Sequence, residues 1–200
     1  MKHFKLFSLL LCGLAAMAFT SCLNDDDDNK LTPAEIQQAY LAVAGNHNGK
    51  VVFQATNPKN SADKLDTLAA SWNVTSDSTM TIYNVPISKL APYINDDNLK
   101  AAIAQLPNAT VQCFIGFTQL SPVTFLVNPN TLTYENLNYN GGTHKVQIGF
   151  YTSNYNSYGA YNASSRMMGV QIIIGGIFID GVYNSTLLTE SFPMVFRTDL

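Results

Sequence analysis

Thr32-Pro33-Ala34-Glu35-Ile36-Gln37-Gln38-Ala39-Tyr40-Leu41-Ala42-Val43-Ala44-Gly45-Asn46-His47-Asn48-Gly49-Lys50-Val51-Val52-Phe53 changes its hydrophobic period partway along, and that change decides the fold. Thr32 to Glu35 has the form of a capping box, with Pro33 suited to a first helical turn. Ile36, Ala39, Tyr40 and Val43 then recur at helical spacing until Gly45 stops the run. From Gly49 onward the period is two: Val51, Phe53 and Ala55 share one face, which predicts a helix leading into a strand.

Working outward, alternation continues through Leu68, Ala70, Trp72 and Val74, and again from Thr79 to Val85. The middle departs from it. Ser88 to Ile94 reads as a turn of helix, and Asp96 or Asp97 can cap a second helix carrying Leu99, Ile103 and Leu106 that must stop by Pro107. β-Branched and aromatic runs then return at 110–117, 123–127, 131–137, 144–152, 168–174, 177–183 and 193–198. Gly141-Gly142, Gly175-Gly176 and Asp180-Gly181 are the expected turn pairs, although Asp180-Gly181 also fits inside one long ribbon. So many short strands without βαβ alternation predict a mainly β fold, an antiparallel barrel with an N-terminal helix and a short helical insertion; an α+β sandwich is the alternative.

The opening Val43-Ala44-Gly45-Asn46-His47-Asn48-Gly49-Lys50-Val51 resembles that of calycin-like (lipocalin-like) domains in Bacteroidetes lipoproteins, where a helical lead-in meets a glycine and the first barrel strand. The chain as a whole is similar to a Bacteroidetes lipoprotein family of unknown function. Ligand binding of the lipocalin kind is implied by fold analogy alone.

The N-terminus carries an address. Lys2, His3 and Lys5 precede an apolar run from Leu6 to Phe19 that is shorter than a spanning helix requires, so residues 1–21 read as a signal peptide. Thr20 and Ser21 directly before Cys22 resemble the lipobox of bacterial lipoproteins, with Phe19 where leucine is usual. The resemblance implies a diacylglycerol on Cys22 and hence a membrane partner. Each buried acyl methylene contributes about 0.8 kcal/mol, and a doubly acylated residue gives stable attachment. Residues 22–31 then form the lipidated cysteine and an acidic tether, and 32–200 a single β-rich domain. Asp25, Asp26, Asp27 and Asp28 cannot pack and repel one another. They also resemble the acidic export signal of Bacteroidetes surface lipoproteins, which implies a lipid-anchored outer-membrane protein facing outward.

The 200-residue chain has 11 basic and 14 acidic side chains. With Lys2 and Lys5 in the leader and the aspartates in the tether, the domain is near neutral, so a nucleic-acid partner is not expected. Cys12 leaves with the leader and Cys22 is acylated, so Cys113 has no partner; within Val111-Gln112-Cys113-Phe114-Ile115 it reads as a buried thiol.

Candidate sites are sparse. Tyr151, Tyr155, Tyr158 and Tyr161 alternate with Asn154, Asn156, Ser157, Gly159 and Asn162. Rigid aromatic faces beside amides suit protein surfaces and also sugars, whose C–H faces stack and whose hydroxyls need donors and acceptors. A long exposed hairpin loop explains the same composition. His47 and His144 lack metal-ligand spacing, Asn95-Asp96-Asp97-Asn98 fits a helix cap better than a calcium loop, and Trp72 reads as core. Asp66, Asp77, Glu135, Asp180 and Glu190 stand singly, and no GxSxG elbow occurs. No cofactor is expected. The expected role is non-catalytic binding, of a small apolar ligand inside the barrel or of a glycan or protein on the tyrosine-rich segment. The alternatives are a structural or accessory component of a surface complex and a hydrolase.

Overall fold

The computed structural model describes residues 30–55, 64–152 and 156–198. Helix α1 (Pro33–Val43) begins with the expected capping box: Glu35 N–H donates to Thr32 Oγ1 at 3.3 Å and Thr32 N–H donates to Glu35 Oε2 at 2.7 Å. Strands β1 (Gly45–Gln54), β2 (Leu65–Val74) and β3 (Thr79–Val85) follow, then a 3-10 segment (Ile87–Tyr93) and α2 (Asp97–Ala104). Asp96 is the cap of α2, accepting from Leu99 N–H at 2.8 Å. The remaining strands are β4 (Ala109–Leu120), β5 (Val123–Pro129), β6 (Leu132–Tyr139), β7 (Gly142–Phe150), β8 (Tyr158–Asn162), β9 (Met167–Ile179), β10 (Val182–Tyr183) and β11 (Phe192–Thr198).

Eight of them close into an antiparallel barrel in the order β1-β2-β3-β4-β5-β8-β9-β11, with β11 pairing back onto β1. The chain is therefore mainly β, with the calycin-like barrel and N-terminal helix and not the α+β sandwich. Closure has a steric condition at Gly49: a side chain there would overlap the Arg197 carbonyl of β11. The hairpin β6–β7 leaves the ring between β5 and β8 and pairs with the second half of β9, so β9 serves the barrel at one end and this wing at the other.

The lumen is filled. Inward positions in register include Val51, Phe196, Val170 and Phe125, while Trp72 faces Ile82 and Val111. Trp72 N–H donates across the barrel to Met168 Sδ at 3.3 Å, and the indole meets Phe196 edge-on with centroids 6.5 Å apart. On its other side it stacks on His47 at 5.7 Å, and His47 donates from Nε2 to the Val43 carbonyl at the end of α1 at 2.8 Å. Helix α1 thus lies across the end where the β2–β3, β4–β5 and β8–β9 turns gather. At the opposite end Tyr93 of the 3-10 segment packs on Phe192, which in turn meets Phe53.

Two expectations are corrected. Tyr158 to Asn162 is not loop but β8, a barrel strand between β5 and β9; the backbone pairing on both sides outweighs a turn-like composition. Gly175-Gly176 is not a turn but lies inside β9. Gly149 pairs with Gly176 and Phe150 with Ile174, so Gly175 is the extra residue of a bulge, a place where glycine inside a strand is at home. Asp180-Gly181 is a tight turn between β9 and β10, both residues at positive φ, and Asn140-Gly141 serves β6–β7 in the same way.

Trp72→Ala should cost about 3–5 kcal/mol, because an indole this enclosed leaves an uncollapsed cavity. Urea unfolding of wild type and variant measures it, and a loss under about 1 kcal/mol would show that the lumen repacks freely.

Candidate functional site

With the lumen occupied, two clefts on the outside of the barrel come forward. The larger, about 450 Å³, lies beneath α1 and is lined by Gln38, Ala39 and Ala42 of the helix, the β4–β5 turn and the β8–β9 turn. The smaller, about 150 Å³, sits over the β9 bulge, and Tyr151, Gly175, Gly176, Tyr183, Asn184, Ser185, Leu188, Glu190 and Ser191 line it.

The bulge builds the smaller cleft. Bare of side chains, Gly175 admits the Tyr151 ring, whose outer atoms lie about 2.5 Å from where a Cβ would be, while Tyr183 covers Gly176 and leans on Phe178 with centroids 5.2 Å apart. Both residues stay open to solvent, Tyr151 being 44% exposed and Tyr183 53%. Backbone bonds hold the walls: Tyr151 N–H donates to the Ile173 carbonyl at 2.9 Å and Asn184 N–H to the Ile177 carbonyl at 3.2 Å. Asn184 Oδ1 accepts from the Thr186 amide and hydroxyl, and its side-chain amide hydrogens have no acceptor among the described residues. Beneath the rim, Tyr93 has its phenol pushed up to about 12 by burial and, secondarily, by the negative charge of Glu190.

The tyrosines read together in the sequence fall in different places. Tyr151 lines the small cleft, Tyr161 lines the large one, and Tyr158 is half-buried against the core. Tyr151 pairs near Ile173 and Tyr161 opposite Met168, five residues apart along β9 or about 17 Å. Asn156 uses its carbonyl on the Gln171 amide, and Ser157 donates to the Tyr151 carbonyl. Tyr155 and Asn154 lie outside the described residues, as do Cys22 and Asp25, Asp26, Asp27 and Asp28. No contiguous motif unites Tyr183, Asn184 and Glu190 with Tyr151, and the glycine pair is the local signal that the sequence carries.

The remaining titratable groups are placed plainly. Cys113 is buried, and burial pushes its thiol up to about 12, far from a thiolate nucleophile. His47 belongs to the Trp72 stack. His144 meets Asp180, with Nδ1 donating to Oδ2 at 2.9 Å, and packs on Tyr139; the Asp180 carboxylate also accepts from Lys145 N–H, and Lys145 Nζ reaches Glu135 at 3.1 Å. Among the described residues no group of three or more His, Cys, Asp or Glu side chains could hold a metal ion.

Fold and clefts together define a closed, filled, calycin-like barrel that presents its concave surfaces outward. The chain belongs to the family described as a domain of unknown function (DUF4840), which matches residues 42–179, more than half of its length. No curated protein and no solved structure matches it.

The hydrogen bonds from His144 and the Lys145 amide hold the Asp180 carboxyl below the usual carboxylate range. A depressed folded-state value stabilises fully above the unfolded value of about 4 and loses that stabilisation as pH falls through the folded one. Asp180→Asn should therefore lower the Tm at pH 7, with the gap to wild type closing below about pH 4. Paired thermal scans check this, and a gap independent of pH would refute it.

Proposed function

We propose that this protein is a lipid-anchored, surface-displayed binding module whose barrel is a rigid scaffold and whose ligands are held on its outside. The observation that carries the reading is the occupied lumen: Trp72, Phe53, Phe125, Phe192, Phe196 and Met80 are all essentially inaccessible inside it. A lipocalin-like pocket needs inward positions too small to fill the barrel, and these are among the largest side chains available. The two outer clefts supply the concave surface instead.

Anchoring and display rest on the sequence around Cys22. The lipobox-like Thr20-Ser21-Cys22 and the following Asp25 to Asp28 support a diacylated N-terminus in the outer membrane with the barrel facing outward. A second reading, an accessory subunit of a surface complex, is favoured by one feature: Phe114 and Leu126, 57% and 38% exposed, stand diagonally across β4 and β5 beside Gly116.

Trp72 is the one tryptophan of the chain, so its emission reports on the lumen alone. In a Cys22→Ser variant, oleate titration should leave that emission unchanged; saturable quenching would mean that the lumen opens for apolar ligands and would end the exterior-binding reading. Separately, mass spectrometry of the mature chain should find two or more acyl chains on Cys22, and protease added to intact cells should remove the barrel. An unmodified Cys22, or full protection with the outer membrane sealed, would overturn anchoring or display respectively.

A further inference from the structure

We infer that the cleft over Gly175-Gly176 binds one neutral pyranose ring of a glycan. The inference rests on the exterior-binding reading above and supplies its ligand class. Its size comes first. A volume of about 150 Å³ is well below the roughly 300 Å³ at which pockets for drug-sized ligands begin, so it suits a single ring and not an extended apolar molecule.

The walls come next. Tyr151 rests on Gly175 and Tyr183 on Gly176 and Phe178, and both rings remain exposed to solvent. An open tyrosine face is a stacking surface for the C–H face of a pyranose, at low conformational cost because the backbone of β9 and of the 184–188 turn already fixes the rings.

Unspent hydrogen-bonding capacity completes the case. Asn184 has its oxygen committed to Thr186, which presents its amide hydrogens as donors. Glu190, the one charged side chain among the described residues lining the cleft, makes no hydrogen bond or ion pair among them. A carboxylate with two free oxygens accepts from a pair of adjacent hydroxyls. The same charge repels uronic and sialic acids, which makes the ligand neutral. The larger cleft under α1 is a poorer candidate, since Tyr161 there packs against the core and none of the described residues lining it is charged.

The test uses the full chain in sugar-free zwitterionic micelles. Saturation-transfer NMR and calorimetry are run against neutral oligosaccharides of glucose, galactose, mannose and xylose, with oligogalacturonate as the acidic comparison. At least one neutral oligosaccharide should bind, oligogalacturonate should not, Tyr183→Ala should weaken binding by about tenfold or more, and Glu190→Gln by a smaller factor. Circular dichroism and Trp72 emission should match wild type in both variants, because neither side chain is buried in the core. The inference is overturned if no neutral sugar binds, if oligogalacturonate binds equally well, or if both variants bind as wild type does. None of these results touches the exterior-binding reading, which stands or falls on the oleate titration.

Discussion

The Trp72 indole spanning the lumen to Met168 is the contact on which the rest of the molecule turns. It joins β2 to β9, strands separated around the ring by β1 and β11, so it constrains the barrel across its width as well as along its hydrogen-bonded wall. Burying an indole is favourable only if its N–H finds a partner, and the Met168 sulfur is the acceptor that reaches it. Through the His47 stack the same ring fixes where α1 ends, because the imidazole donates to the last turn of the helix. The helix cap, the barrel wall and the core are therefore one packed unit.

Large side chains occupy the interior of the barrel, and the two clefts described lie at its α1 end and where strands leave the ring. Here the excursion of β6 and β7 matters. To pair with them, β9 must run past the end of the barrel, and along one edge its partner changes from β8 at 167–171 to β7 from Ile174 on, with a register shift just beyond Ile174. Ile174 points into the core and so does Ile177, an odd spacing that a regular strand cannot give. The extra residue at Gly175 reconciles them.

Much of this was legible in the residues. The capping box, the shift to period two after Gly45 and the alternation around Trp72 and Cys113 each report a half-buried element with one chemical face, which is what periodicity can detect. Gly175-Gly176 and β8 mislead for opposite reasons. The first half of β9 is buried on both faces, so its apolar run carries no alternation, and a glycine pair after such a run looks like a stop. β8 is written in Tyr, Gly, Ala and Asn, a turn-like vocabulary, and is a strand because β5 and β9 leave a gap of one strand between them. The small cleft is invisible in the sequence for a further reason: Tyr151 follows β7, Tyr183 lies in β10 and Glu190 precedes β11, and only the fold brings them together.

That dependence gives the bulge a double role. Any side chain at Gly175 would push the Tyr151 ring off the strand, so the residue that lets β9 change partners also sets the floor and one wall of the cleft. Topology and recognition are then coupled through a single residue: the wing demands a bulge, the bulge favours glycine, and glycine admits the aromatic ring. The floor of the site is the β9 backbone and its rim comes from Tyr151 and the 184–191 connection, which makes it shallow. Shallow aromatic surfaces gain avidity through repetition, so under the anchored display proposed above a ligand of repeating units would hold many copies far more tightly than one.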